Sequence, residues 1–176
     1  MAKAIFLDRD GVVNRAVVRN GRPFPPASLA EMEILPGVKE SLTRLKASGY
    51  LLIVVTNQPD VARGTATRET VEEINDFLLS ALPIDEFRTC YHDGEDACDC
   101  RKPKPGLLLA AAASHHIDLG ASFMVGDRWR DTEAGDRAGC KTILIDYGYS
   151  EKQPLTVDYR VLSLKEAAEI ILGERT

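Results

Sequence analysis

The chain has 176 residues, of which 44% are hydrophobic and 28% charged, and a formal charge of −5. That length holds one ordinary core and fits two typical domains poorly, so residues 1–176 are expected to form a single domain, and the balance of apolar to charged residues excludes a disordered chain. An acidic chain also lacks the basic face that broad nucleic-acid affinity requires, and no apolar stretch approaches membrane-spanning length.

In chain order, the N-terminal MAKAIFLDRDG passes from one lysine through a four-residue apolar run into charge. It lacks the apolar core of a signal peptide, and a cytoplasmic location is expected. The run AIFL (4–7) is continuous and not alternating, as are LLIVV (51–55), FMV (123–125) and TILI (142–145), which is how strands buried on both faces of a parallel sheet look. Between the first two, Val38, Leu42 and Leu45 recur at helical spacing, with Pro36 ahead of them and Gly49 placed to end the helix. A second helix is predicted from Thr67, turning Val71, Ile74 and Leu78 inward, and a third after Pro105. A fourth is predicted from about Asp131 to Ala138, closed by Gly139, and a last from Ser163, where Ser163 and Glu166 form a capping box. Strands alternate with helices, so the predicted fold is α/β: a Rossmann-like, doubly wound parallel sheet sandwiched by helices.

In such sheets ligands sit beyond the carboxyl ends of the strands. Asp8 follows the first apolar run, Thr56 and Asn57 the second, and Asp127 the third, so polar residues converge on one edge. FLDRDG sets Asp8 and Asp10 two residues apart before a glycine that permits a sharp turn. An isolated pair of this kind is more often a solvated turn, but here the preceding run is too apolar for an exposed edge. Paired carboxylates can hold Mg²⁺ through oxygen, and one of them can attack phosphorus. Two small cationic groups, Arg101 with Lys102 and Lys104, and Arg128 with Arg130, leave room for a compact anionic ligand.

Cys90, His92, Cys98 and Cys100 have the spacing C-x-H-x5-C-x-C. Four such ligands suit tetrahedral Zn²⁺ with no open position, and a closed site is structural. A zinc loop at about 90–100 would end directly before Arg101 and Lys102 and so fix where these cations stand. Cys140 reads as a small buried hydrophobe, and His115 and His116 as core-edge or surface residues without ligand spacing to the cluster.

The ordered set Asp8-Arg-Asp10-Gly, VVTNQ, RKPKPG and GDRWRD resembles the four motifs of the haloacid dehalogenase superfamily of phosphohydrolases. That resemblance spans residues 8–131 and implies a single domain of that kind. It implies Asp8 as the nucleophile and Asp10 as general acid and then base, with Thr56 and Lys102 holding the transferring phosphoryl group. Mg²⁺ would be held by Asp8, Asp127 and the backbone carbonyl of Asp10, with Asp131 in support. The zinc loop and the lack of a long insertion for a large cap resemble two groups, the D-glycero-D-manno-heptose 1,7-bisphosphate phosphatases and the histidinol-phosphate phosphatases. TNQ, the ARG at 62–64 and RKPKPG are similar to the first group, whereas the five-residue spacer between His92 and Cys98 is similar to the second. Pro59 and Asp60 stand where the first group usually has Ser-Gly.

The expected substrate is thus a small phosphorylated sugar, on the way to nucleotide-activated heptose, gripped by Asn57, Arg63, Arg101 and Arg128. Two of these, Arg101 and Arg128, suit a second phosphate. A binding module that holds such a ligand without turnover is the rival from another class; the intact set Asp8, Asp10, Thr56, Lys102 and Asp127 argues against it.

Overall fold

A computed structural model describes residues 1–174. Six strands form one parallel sheet: β1 (Lys3–Leu7), β4 (Tyr50–Asn57), β5 (Glu86–Cys90), β6 (Phe123–Gly126), β7 (Lys141–Ile145) and β8 (Tyr159–Val161), in the order β5-β4-β1-β6-β7-β8. A separate antiparallel hairpin is made by β2 (Val17–Arg19) and β3 (Arg22–Phe24).

Successive residues of β1 face opposite sides of the sheet, as strand geometry dictates. Ile5 and Leu7 pack with Val38, Leu42 and Leu45 of α1 (Val38–Ala47), Ile74 and Leu78 of α2 (Arg68–Ala81) and Ala167 of α5 (Leu164–Ile171). Ala4 and Phe6 pack on the other face with Leu108 and Ala111 of α3 (Gly106–His115) and Ala134 of α4 (Trp129–Ala138). The sheet is thus covered on both faces, which accounts for the unbroken apolar runs in its central strands.

The chain leaves β1 for β4 on one side and later returns to β6 on the other, so the strand order reverses beside β1. That switch point opens a crevice at the carboxyl ends of β1, β4 and β6. Between β1 and α1 the hairpin is the only pair of strands among the described residues, and no large cap covers the crevice. No helix among the described residues is long and apolar enough to cross a membrane.

One helix start and one helix cap differ from expectation. Helix α4 begins at Trp129, not Asp131, because Asp131 lies inside the first turn and its Oδ2 accepts from the Arg128 backbone N–H at 3.0 Å. At α5 the Ser163 hydroxyl accepts from the Glu166 N–H at 3.2 Å, but the Glu166 carboxylate reaches past the cap to the Leu162 N–H at 3.0 Å. Strands β5 and β8, at the sheet edges, and the β2–β3 hairpin carry no long apolar run and were not anticipated as strands.

Candidate active site

Asp8 leaves β1 with its backbone N–H still bonded to Val125 O at 2.9 Å, so the β1–β6 ladder sets its position. Asp127 follows β6, and Asp131 stands one helical turn on. One carboxylate oxygen from each of Asp8, Asp127 and Asp131 comes within 4.8 Å of the others, and all three side chains are buried. Two glycines make room for this cluster. A Cβ on Gly11, whose φ is +92°, would lie 2.0 Å from Asp127 Oδ2, and one on Gly126 would lie 2.0 Å from Asp131 Cβ.

Lys102 reaches the same point from the segment just after Cys100. Its side chain is 2% exposed, and its ammonium donates to Asp8 Oδ1 at 2.8 Å and Val55 O at 2.7 Å and pairs with Asp131 Oδ1 at 2.7 Å. Burial alone would lower this lysine, but Asp131 and Asp8 outweigh it and hold it above its ordinary value, firmly charged. One cation against three buried carboxylates leaves the cluster short of positive charge. Burial, then Asp131, pushes Asp8 up to about 6. Burial and the same carboxylate neighbours drive Asp127 well above its usual range. Asp127 Oδ1 is buried without a hydrogen-bond partner. An all-carboxylate donor set with an orphaned oxygen fits a hard dication such as Mg²⁺ better than a soft one.

The Asp10 carboxylate does not join this cluster. It accepts from the Arg9 guanidinium at 3.2 to 3.3 Å, from Asn14 Nδ2 at 3.0 Å and from Gln58 Nε2 at 2.8 Å. Arg9 is fully buried and also donates to Asn75 Oδ1 on α2 at 2.9 Å. The Gln58 amide donates in addition to the Thr56 hydroxyl at 2.9 Å, and Thr56 itself is buried beneath it. Arg9, Asn14, Gln58 and Asn75 were not singled out from sequence; Arg9 and Gln58 lay inside quoted motifs, which was the available signal.

These groups border a cleft of about 540 Å³, whose floor holds Asp8, Asp10, Lys102 and Asp131. Asn57, Arg63, Arg101 and Arg128 all reach its wall, but each has a protein partner. The Asn57 amide clamps the Lys102 backbone, donating to its carbonyl at 3.0 Å and accepting from its N–H at 3.1 Å. Arg63 grips Asp93, in the loop between His92 and Cys98, with two bonds of 2.7 Å and holds that carboxyl down at about 2. Arg101 donates to His92 O at 3.1 Å, and Arg128 pairs with Glu151 through Nε at 3.0 Å. Trp129 lines the cleft between Arg130, 4.8 Å from its ring centroid, and Lys152 at 4.2 Å. Burial, then repulsion from Arg128 and Arg101, lowers Arg130, the mark of a crowded cationic wall.

Tyr149 was also missed. Its hydroxyl donates to Asp127 Oδ2 at 2.9 Å, and it belongs to no motif.

Beside the cleft, Cys90, His92, Cys98 and Cys100 bring one ligand atom each within 4.8 Å of the rest. The Cys90 sulfur lies 3.9 Å from that of Cys98 and 3.0 Å from that of Cys100, and His92 Nδ1 is 3.2 Å from Cys100 Sγ. Sulfurs around tetrahedral Zn²⁺ lie about 3.8 Å apart, so the four donors fit such an ion with small adjustments. Cys140 is buried elsewhere and its thiol is pushed up to about 12 by that burial. His115 pairs with Glu86 at 2.8 Å, and His116 ends α3 at φ +52°.

Residues 99–167 match a family model described as HAD-hydrolase-like. The D-glycero-beta-D-manno-heptose-1,7-bisphosphate 7-phosphatase of Pasteurella multocida is 36% identical over 191 residues, covering 98% of each chain. The protein of the same name from Helicobacter pylori strain J99 is 36% identical over 96% of this chain and 95% of its own. Among solved structures, the D,D-heptose 1,7-bisphosphate phosphatase of B. bronchiseptica, complexed with magnesium and phosphate, superposes with a TM-score of 0.83. It is 32% identical and covers 98% of this chain and 99% of that one.

A switch-point cleft with Asp8, Lys102 and Asp131 at its floor and Asp127 clustered with them, on a fold shared with that enzyme, defines a phosphatase of the haloacid dehalogenase superfamily. Within that superfamily the chain belongs to the family that holds these heptose-bisphosphate phosphatases.

Proposed function

We propose that this single-domain chain, acting in the cytoplasm, removes the 7-phosphate of D-glycero-D-manno-heptose 1,7-bisphosphate through a phosphoryl-enzyme formed on Asp8. The observation that carries the reading is the Asp8 carboxylate, held at the cleft floor by Lys102 with Asp127 and Asp131 beside it. Asp8, Asp127 and the backbone carbonyl of Asp10 would hold Mg²⁺, with Asp131 in support. Bound there, the ion would offset the repulsion between a carboxylate nucleophile and a phosphate dianion and steady the transferring oxygens.

The Asp8 carboxylate attacks phosphorus as the bond from phosphorus to the sugar oxygen breaks. Lys102 draws charge from the phosphoryl oxygens, helped by Thr56. Asp10, held beside the reacting centre by Arg9, Asn14 and Gln58, gives its proton to the leaving alkoxide. It then takes one from water, which attacks phosphorus, releases inorganic phosphate and restores Asp8. Arg101 and Arg128 take the second phosphate, Arg63 steadies the cleft wall through Asp93, and Asn57 acts through the Lys102 backbone.

Crowded cations along one wall favour a bisphosphate over histidinol phosphate, which has a single phosphate. The test is kcat/KM for phosphate release with Mg²⁺, comparing both heptose 1,7-bisphosphate anomers, fructose 1,6-bisphosphate and histidinol phosphate. A heptose anomer should lead; histidinol phosphate in first place would overturn the substrate assignment and keep the chemistry.

Zn²⁺ in this reading is scaffold, held by Cys90, His92, Cys98 and Cys100. Cys98→Ser is expected to lower both zinc content, measured by metal analysis, and melting temperature. Unchanged values of both would contradict that role.

The cation shortage also has a pH signature. With Asp8 raised from 3.8 to about 6, the metal-free fold keeps the benefit of the protonated form in full below pH 3.8 and loses it as pH rises through about 6. Binding of Mg²⁺ at pH 5 requires loss of that proton, whereas at pH 7.5 the carboxylate is already bare. The Mg²⁺-induced rise in melting temperature is therefore expected to be larger at pH 7.5 than at pH 5, as differential scanning calorimetry would record.

A further inference from the structure

We infer that Tyr149 is a positioning residue for Asp127, fixing which oxygen of that carboxylate is offered to Mg²⁺, an assignment that rests on the metal site proposed above. The two oxygens of Asp127 have different surroundings: Oδ2 accepts from the Tyr149 hydroxyl at 2.9 Å, while Oδ1 is buried and has no partner. A hydrogen bond to one oxygen restrains the carboxylate against turning about its terminal bond, which leaves the other oxygen free in a side chain clustered with Asp8 and Asp131.

The segment 146–151 is built to deliver that hydroxyl. Gly148, at φ +67°, turns the chain between two tyrosines, and its N–H donates to Asp146 Oδ1 at 2.9 Å. The Tyr147 and Tyr149 rings stack with centroids 5.5 Å apart, and the Tyr147 hydroxyl donates to Gly11 O at 2.9 Å. Ser150 N–H bonds Gly21 O at 2.9 Å, tying the segment to the β2–β3 hairpin. Tyr149 is thus anchored on both sides and acts on the metal through Asp127 alone.

The test uses Tyr149→Phe in the full chain, which keeps the ring and its stacking and removes only the hydroxyl. Mg²⁺ affinity is measured by isothermal titration without substrate, so an error in the substrate assignment does not enter. The Kd for Mg²⁺ should rise roughly 10-fold, the low end for loss of a partner behind a metal ligand. In steady-state assays the loss should appear as a higher Mg²⁺ requirement, with kcat recovered at saturating Mg²⁺. Tyr147→Phe loosens the same segment without touching Asp127 and should alter Kd much less. An unchanged Kd in Tyr149→Phe, or an equal loss in both variants, would overturn the assignment. A wild-type chain that binds no Mg²⁺ would overturn the metal site and this inference together.

Discussion

Replacing Asp8 by Asn is expected to lower kcat by at least ~10⁴-fold, the scale seen when a nucleophile is removed from an enzyme. The amide has the same shape but no anionic oxygen to attack phosphorus, so substrate binding should survive while turnover stops. Stability should move the other way. Burial and Asp131 make the Asp8 charge unfavourable enough to push its carboxyl up to about 6, so a neutral side chain there relieves the metal-free fold at neutral pH. Equilibrium binding, kcat and a melting curve in EDTA together check the prediction. Turnover that survives the change would remove the phosphoryl-enzyme from the mechanism.

Lys102→Met should fail differently, losing stability and activity at once. Methionine keeps most of the volume but leaves Asp8, Asp131 and Val55 O facing an apolar group. Breaking a buried pair by removing one partner costs about 3–5 kcal/mol, because the remaining charge has no compensation. The activity loss should be on the order of 10²- to 10³-fold or more, the effect of deleting one donor to transition-state charge. Urea unfolding without Mg²⁺, alongside kcat, separates the two variants: Asp8→Asn loses only catalysis. A Lys102→Met protein as stable as wild type would contradict the buried-pair geometry.

Much of the sheet was legible in the sequence because β1, β4, β6 and β7 are covered on both faces and so read as unbroken apolar runs. The edge strands β5 and β8 have one open side and carry polar residues such as Arg88 and Arg160, which hid them. The hairpin did leave a mark, since Asn20 at φ +51° and Gly21 at φ +72° form the two-residue turn that Asn-Gly favours. Its strands are too short to show alternation, so the dipeptide alone was easy to pass over. In the site, Asp8, Thr56 and Asp127 were readable because each stands at or just beyond the end of a buried run, and Lys102 because of its motif. The partners were not. Arg9 meets Asn75 across 66 positions and Tyr149 meets Asp127 across 22, and such pairings are set by tertiary packing and not by local pattern. For the same reason sequence could place Asn57, Arg63 and Arg128 at the cleft but could not show that Lys102, Asp93 and Glu151 already engage them.

In the proposed function this cleft hydrolyses one particular phosphate ester with Mg²⁺. The most direct test of that function is ³¹P NMR of purified wild-type protein with heptose 1,7-bisphosphate, first in EDTA and then after Mg²⁺ is added. No change is expected in EDTA, and then, with Mg²⁺, loss of the C7 phosphate signal and growth of inorganic phosphate while the C1 phosphate persists. Loss of the C1 phosphate instead, or equal hydrolysis in EDTA, would contradict it.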